Sequence, residues 1–170
     1  VESALNLHPN QVDDAHEFLS GTKDHLQHLT FSEISDRLEY DVVLKCKPFC
    51  IIRNPLHRFY SEYKWRVKIK HPIVADKSIA EFAEYLYMRK LNNTLKNECH
   101  FRFQSDYFFN DVGAIDTIKV FKLEDGMDKV EDWLLAECDI SVRIPHINKD
   151  TSKASDCSDY VDGLVKEIYK

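Results

Sequence analysis

Cys50-Ile-Ile-Arg-Asn-Pro-Leu-His-Arg-Phe-Tyr-Ser-Glu-Tyr63 reads as a strand, a sharp turn and a helix, and this stretch decides the fold. Phe49–Arg53 is a short apolar run that suits a buried parallel strand. Asn54 is a good N-cap, and Pro55 is tolerated at the first helical position. Phe59, Tyr63 and Arg66 then recur at helical spacing. In open α/β sheets ligands bind beyond the carboxyl ends of strands, where helix N-termini point. Arg53 stands at such an end, and the free N–H groups of the helix would favour an anion beside it. A guanidinium there can grip a phosphate through two parallel hydrogen bonds. Ser61, two turns into the helix, offers a hydroxyl to another phosphate oxygen. A serine in mid-helix is otherwise mildly unfavourable. The same pair also suits a purely structural arrangement, with Arg53 on a carboxylate and Ser61 filling a tight contact.

Outward from this segment, helices and strands alternate. Asp13–Leu19 is a short helical candidate. Thr30-Phe-Ser-Glu33 is a capping box that starts a helix through about Leu38, and Ser78-Ile-Ala-Glu81 opens a second, amphipathic helix to about Leu91. Thr117–Phe121 reads as another buried strand, followed by a helix over Gly126–Ala136 and a last one from near Ser158 to Tyr169. That alternation predicts an α/β fold with a mainly parallel sheet flanked by helices. Glycine is scarce, at four residues, and no linker or repeat interrupts the chain. A single domain over residues 1–170 is the expectation.

Composition narrows the function. A hydrophobic content of 44% with 31% charged residues is ordinary for a globular chain. No apolar run approaches the roughly 18 residues of a membrane span. A net charge of −6 argues against binding polyanions through bulk electrostatics, so no nucleic-acid partner is expected. Any phosphate or sulfate site must be a local cluster of cations, and Lys64, Arg66, Lys68, Lys70 and His71 supply one. The five cysteines (Cys46, Cys50, Cys99, Cys138 and Cys157) have no disulfide-scaffold or zinc spacing and read as buried free thiols. No metal is expected.

Arg-Asn-Pro-x-x-Arg-x-x-Ser-x-Tyr, here Arg53 to Tyr63, resembles the 3′-phosphate-binding motif of carbohydrate sulfotransferases of the Golgi type and their bacterial relatives. Further segments are similar in order and distance. His28-Leu-Thr looks like the His-Ile/Leu-Thr element before the phosphate strand, and His100-Phe-Arg-Phe-Gln-Ser-Asp resembles the His-aromatic-x-Pro-Gln segment, with Phe103 in place of proline. Val120-Phe-Lys-Leu-Glu124 looks like the family's later strand, and Pro145-His-Ile-Asn-Lys-Asp-Thr-Ser152 like the Pro-His-x-Asn-x-Ser loop that closes over the nucleotide. Together these cover residues 20 to 153.

The resemblance implies a P-loop-NTPase-like sulfotransferase fold. It implies transfer of a sulfuryl group from 3′-phosphoadenosine 5′-phosphosulfate (PAPS) to a hydroxyl of a carbohydrate acceptor. Arg53 and Ser61 would bind the 3′-phosphate, with Lys149, Thr151, Ser152 and Lys153 on the nucleotide's 3′ side. Trp65 or Phe59 would stack on adenine. His28, or else His25, would be the general base, since histidine titrates near neutral pH. His100, Arg102 and Gln104 would face the acceptor or nucleotide, His146 likewise, and Lys68 and Lys70 would suit an anionic acceptor. Arg58, the motif's second arginine, is assigned a structural role on a carboxylate. The family's loop for the 5′-phosphosulfate, a Pro-Lys-x-Gly-Thr-like stretch, is missing from the sequence. Val1-Glu-Ser-Ala-Leu5 is similar to the start of the helix that follows it. The expectation is therefore a chain truncated just after that loop, inactive without it. Two alternatives stand: a non-catalytic anion- or nucleotide-binding module, and a P-loop kinase, which needs a Gly-x-x-x-x-Gly-Lys-Ser/Thr loop. An animal relative would work in the Golgi lumen and a bacterial one in the cytoplasm; the sequon Asn92-Asn93-Thr94 does not choose between them.

Overall fold

A computed structural model describes residues 29–36, 47–110, 113–114, 118–145 and 158–170. Its contacts divide the chain into two compact units, residues 1–52 with 104–147, and residues 53–103 with 148–170.

The first unit holds the sheet. Helix α1 (Phe31–Ser35) opens with the expected capping box: Glu33 N donates to Thr30 Oγ1 at 3.2 Å, and Thr30 N donates back to the Glu33 carboxylate at 2.6 Å. Strand β1 (Phe49–Ile52) is followed in this unit by a two-residue antiparallel pair, β2 (Phe109–Asn110) and β3 (Gly113–Ala114), and by β4 (Lys119–Lys122). β1 pairs with β4 in parallel, Phe49 opposite Lys119 and Ile52 opposite Lys122. Helix α4 (Asp128–Cys138) follows β4, while α2 (Pro55–Lys68) and α3 (Ile79–Leu91) belong to the other unit.

Two expectations about this unit need correction. Strand β1 is parallel, as expected, but all four of its residues are half-buried rather than buried. Among the described residues each parallel strand has one neighbour and one packed face. Phe49 and Ile51, two apart on the same side, pack on the cluster of Phe121, Val130, Leu134 and Ile144. The helix after β4 starts two residues later than expected because Gly126 has φ 94°, a non-helical backbone where an added Cβ would collide with the Asp128 carboxylate. Thr117, the expected start of the second strand, lies outside the described residues, as do Asp13–Leu19 and Leu38.

The second unit is helical. Asn54 and Ser78 cap α2 and α3 as the sequence predicts, Ser78 through a complete capping box. Helix α5 (Asp159–Ile168) is capped by Ser158 and buries Val161, Val165 and Ile168 at i, i+4 and i+7 against α2 and α3. Phe59, Phe82 and Phe101 are fully buried. Phe59 stacks on Phe82 with centroids 5.8 Å apart, and Phe101 meets Phe82 edge-on at 5.4 Å. Such pairs add about 0.5–1.5 kcal/mol each beyond their burial. Tyr60 Oη donates to Asp162 Oδ1 at 2.8 Å and Tyr160 Oη to Glu84 Oε1 at 2.7 Å, which ties α5 to both other helices.

The two long helices end alike. Lys70 (φ 54°) and Asn93 (φ 54°) are left-handed residues just past α2 and α3. His71 N donates to Arg66 O and Lys70 N to Val67 O, the Schellman pattern; Thr94 N to Arg89 O and Asn93 N to Lys90 O repeat it.

Candidate functional site

Arg53 is the single residue between β1 and the cap of α2, and it is half-buried. The amides around it are not free, contrary to expectation. Pro55 has no N–H, Leu56 N and His57 N donate to Asn54 Oδ1 at 2.9 and 3.4 Å, and Arg58 N donates to Asn54 O at 2.9 Å. Asparagine at this position takes the place an anion would fill. An anion arriving here therefore meets side chains, Arg53 and the half-buried Ser61 two turns into α2.

The structural role of Arg58 takes a different form from the one expected. Its Nη1 donates to the backbone carbonyl of Arg102 at 2.9 Å, and its guanidinium lies 6.0 Å from the centroid of the Tyr169 ring. The backbone carbonyl of Arg102 thus takes the place of the expected carboxylate. Tyr169 Oη is buried with no hydrogen-bond partner among the described residues. Burial pushes its pKa up to about 12, with the Arg58 charge opposing and Glu62 adding to the rise.

One turn further along α2, two side chains converge on Glu62. Arg66 Nε donates to Glu62 Oε1 at 2.7 Å, and His100 Nδ1 lies 3.3 Å from the same oxygen. Arg66 is 5% exposed and lies over the Phe101 ring at 5.2 Å. Burial of the Glu62 carboxyl raises its pKa, but hydrogen bonds and charge from His100 and Arg66 outweigh that and hold it below the usual carboxylate range. His100 also stacks on Trp65, with centroids 6.1 Å apart and planes within 15°.

These contacts shrink the basic cluster read from residues 64–71. Arg66 belongs to the core pair, and His71 Nδ1 accepts from Ile73 N at 3.2 Å as the cap of the turn Pro72–Val74. Lys64 is half-buried; Lys68 and Lys70 are exposed. Phe59 is fully buried and cannot stack on a nucleotide. Trp65 is 47% exposed. Of the residues expected to meet the acceptor, His100 and Arg102 lie against α2 through Glu62 and Arg58, and Lys68 and Lys70 lie at its end. Gln104 opens the turn Gln104–Tyr107 of the sheet unit.

His25, His28, His146, Lys149, Thr151, Ser152 and Lys153 lie outside the described residues, as do Cys46 and Cys157. Cys50, Cys99 and Cys138 form no disulfide among the described residues and are half-buried rather than buried; partial burial still raises the pKa of the Cys50 thiol. Among the described residues no group of three or more His, Cys, Asp or Glu side chains is placed to hold a metal ion, and no helix is long and apolar enough to cross a membrane. Glu62 was not singled out in the sequence, although its i, i+4 spacing to Arg66 was a readable signal. No family model, curated protein or solved structure matches this chain.

Proposed function

We propose that this chain is part of a PAPS-dependent sulfotransferase that transfers a sulfuryl group to a carbohydrate hydroxyl. The observation that carries the reading is the motif Arg53 to Tyr63, with its arginine directly after a parallel strand and its serine two turns into a helix capped by Asn54. The fold is α/β with a small parallel sheet flanked by helices. A P-loop-like sulfotransferase fold is the finer form of it that the motif favours. Because Asn54 occupies the first-turn amides, the 3′-phosphate would be held by the Arg53 guanidinium and the Ser61 hydroxyl. A further point in favour is that two separate segments of the resemblance touch, Arg58 reaching Arg102 O and Glu62 reaching His100.

In this reading, chemistry rests on positioning and charge stabilisation, as in phosphoryl transfer. The acceptor oxygen forms a bond to sulfur as the bond from sulfur to the 5′-phosphate oxygen breaks. The electron pair leaves with the phosphate, and the hydroxyl proton goes to a histidine, His28 or His25. Lys149, Thr151, Ser152 and Lys153 would complete the nucleotide's 3′ side.

The test is calorimetric titration of 3′-phosphoadenosine 5′-phosphate into the full-length protein. Saturable binding is expected, weakened roughly 10- to 100-fold by Arg53→Ala and less by Ser61→Ala. A protein that binds no nucleotide, or an Arg53→Ala variant that binds as well as the parent, rules the proposal out.

A further inference from the structure

The end of α2 presents a surface beyond Arg53 and Ser61, the side chains proposed to hold the 3′-phosphate. Trp65 is 47% exposed although Arg66, the next residue, is buried. Its indole is not a loose surface ring. It lies nearly parallel to the His100 imidazole at 6.1 Å, and His100 is tied through Nδ1 to Glu62 Oε1 at 3.3 Å. Glu62 is fixed in turn by the buried Arg66 at 2.7 Å, which lies over the fully buried Phe101. The stack is thus anchored to the core of the helical unit before any ligand arrives, so little ordering is left to oppose binding.

The surroundings of the ring carry charge. Lys68 follows Trp65 by one turn of α2, and Lys70 sits in the left-handed cap just beyond. Both are exposed, and neither side chain has a hydrogen bond or ion pair among the described residues. An aromatic face is electron-rich and attracts the electropositive C–H face of a pyranose ring. Unpaired ammonium groups at the same end of the helix favour a ring that carries a carboxylate or sulfate. The chain's overall charge of −6 makes this a local rather than a general attraction.

We propose that Trp65, backed by His100, is the platform on which an acidic sugar ring of the acceptor stacks, with Lys68 and Lys70 meeting its anionic group. The ligand class, a carbohydrate acceptor, rests on the proposed function; the stacking residues rest on this geometry. Glu62 is a positioning residue, acting through His100.

The probe is an oligouronate of four residues, titrated calorimetrically into the protein beside a neutral glucose tetramer of equal length. The oligouronate should bind in a salt-sensitive way and the neutral tetramer more weakly. Trp65→Ala should lower oligouronate affinity at least about tenfold, Trp65→Phe less, and Lys68→Gln with Lys70→Asn should remove the preference for the charged probe. Asparagine is chosen at position 70 because it tolerates the left-handed backbone. Affinity for 3′-phosphoadenosine 5′-phosphate should stay within about twofold in the Lys68→Gln, Lys70→Asn variant, and a loss of nucleotide affinity in Trp65→Ala would return the ring to adenine and overturn the proposal. Oligouronate binding that is unchanged in Trp65→Ala and Trp65→Phe overturns the proposal. So does a sedimentation result in which Trp65→Ala abolishes self-association and leaves oligouronate binding intact. If the nucleotide fails to bind while the oligouronate binds through Trp65, the sulfotransferase reading falls and the platform stands. If the nucleotide binds and the oligouronate does not, the platform falls alone.

Discussion

The helical unit and the sheet unit spend their aromatic residues differently. In the helical unit Phe59, Phe82 and Phe101 are at 0% exposure and contact one another as rings. In the sheet unit Phe121 keeps 9% exposure, and its partners Phe49 and Trp133 are only half-buried. Parallel strands are usually covered on both faces. Here every residue of β1 retains some exposure. The difference teaches that the candidate side chains Arg58, Ser61, Glu62, Trp65 and His100 stand on the better-packed unit, where a side chain can be held in place by its neighbours.

The largest expected effect compares the two cores directly. Phe82 touches Phe59, Tyr63, Tyr85 and Phe101, so Phe82→Ala should sit near the top of the roughly 3–5 kcal/mol range for such truncations. Phe121→Ala, at a site that already admits water, should fall at or below the bottom of that range. Each unit contains one of the two tryptophans, Trp65 in the helical unit and Trp133 in the sheet unit. Denaturant unfolding followed by fluorescence, in variants that keep one tryptophan, assigns the loss to its unit. Equal costs at the two positions would break the comparison.

The next effect concerns the charge inside the helical unit. Glu62→Ala would leave Arg66 buried without its carboxylate, at a cost of about 3 kcal/mol. Glu62→Gln keeps a hydrogen-bond acceptor and should cost less. The pH dependence has a definite sign. The Glu62 carboxyl sits below its ordinary value of 4.5 in the folded chain, so the unfolded chain binds the proton more readily. Its contribution is therefore present above that ordinary value and lost as pH falls through the lowered one. Thermal melts from pH 7 down to 3 should show a steeper loss in the parent than in Glu62→Gln. Parallel curves would mean that the cluster stabilises nothing by its charge.

Legibility in the sequence followed the range of the interaction. The caps at Thr30, Asn54 and Ser78 were readable because each depends on residues within three positions. The parallel pairing of β1 joins residues 70 apart, Phe49 to Lys119; alternation with helices foretold its sense, but no local pattern set its partner or register. Gly126 moved a helix start because its backbone, not its composition, sets the boundary. At the candidate site, counting cations over residues 64–71 ignored the helical period, which turns Arg66 inward onto Glu62 while Lys68 stays in water. The His100–Trp65 stack spans 35 positions, and no local rule brings those rings together.

The smallest effect separates stability from function at one residue. Lys70 has φ 54° at the position that follows the cap of α2, where glycine is the usual occupant. Lysine there bears the steric cost of a left-handed backbone that glycine avoids, so Lys70→Gly should stabilise the helical unit by about 0.5–1 kcal/mol, a rise of a few degrees in melting temperature. The equivalent change after α3, Asn93→Gly, should gain less, because asparagine already tolerates that backbone. A lysine kept at a strained cap is then explained by its charge, which in the proposed platform meets the acidic sugar. Lys70→Gly should accordingly gain stability and lose oligouronate affinity in the same protein, the trade expected where function holds a residue away from its stability optimum. A variant that is more stable and binds the oligouronate as well as the parent would leave Lys70 without that role, and would confine the platform's charge to Lys68.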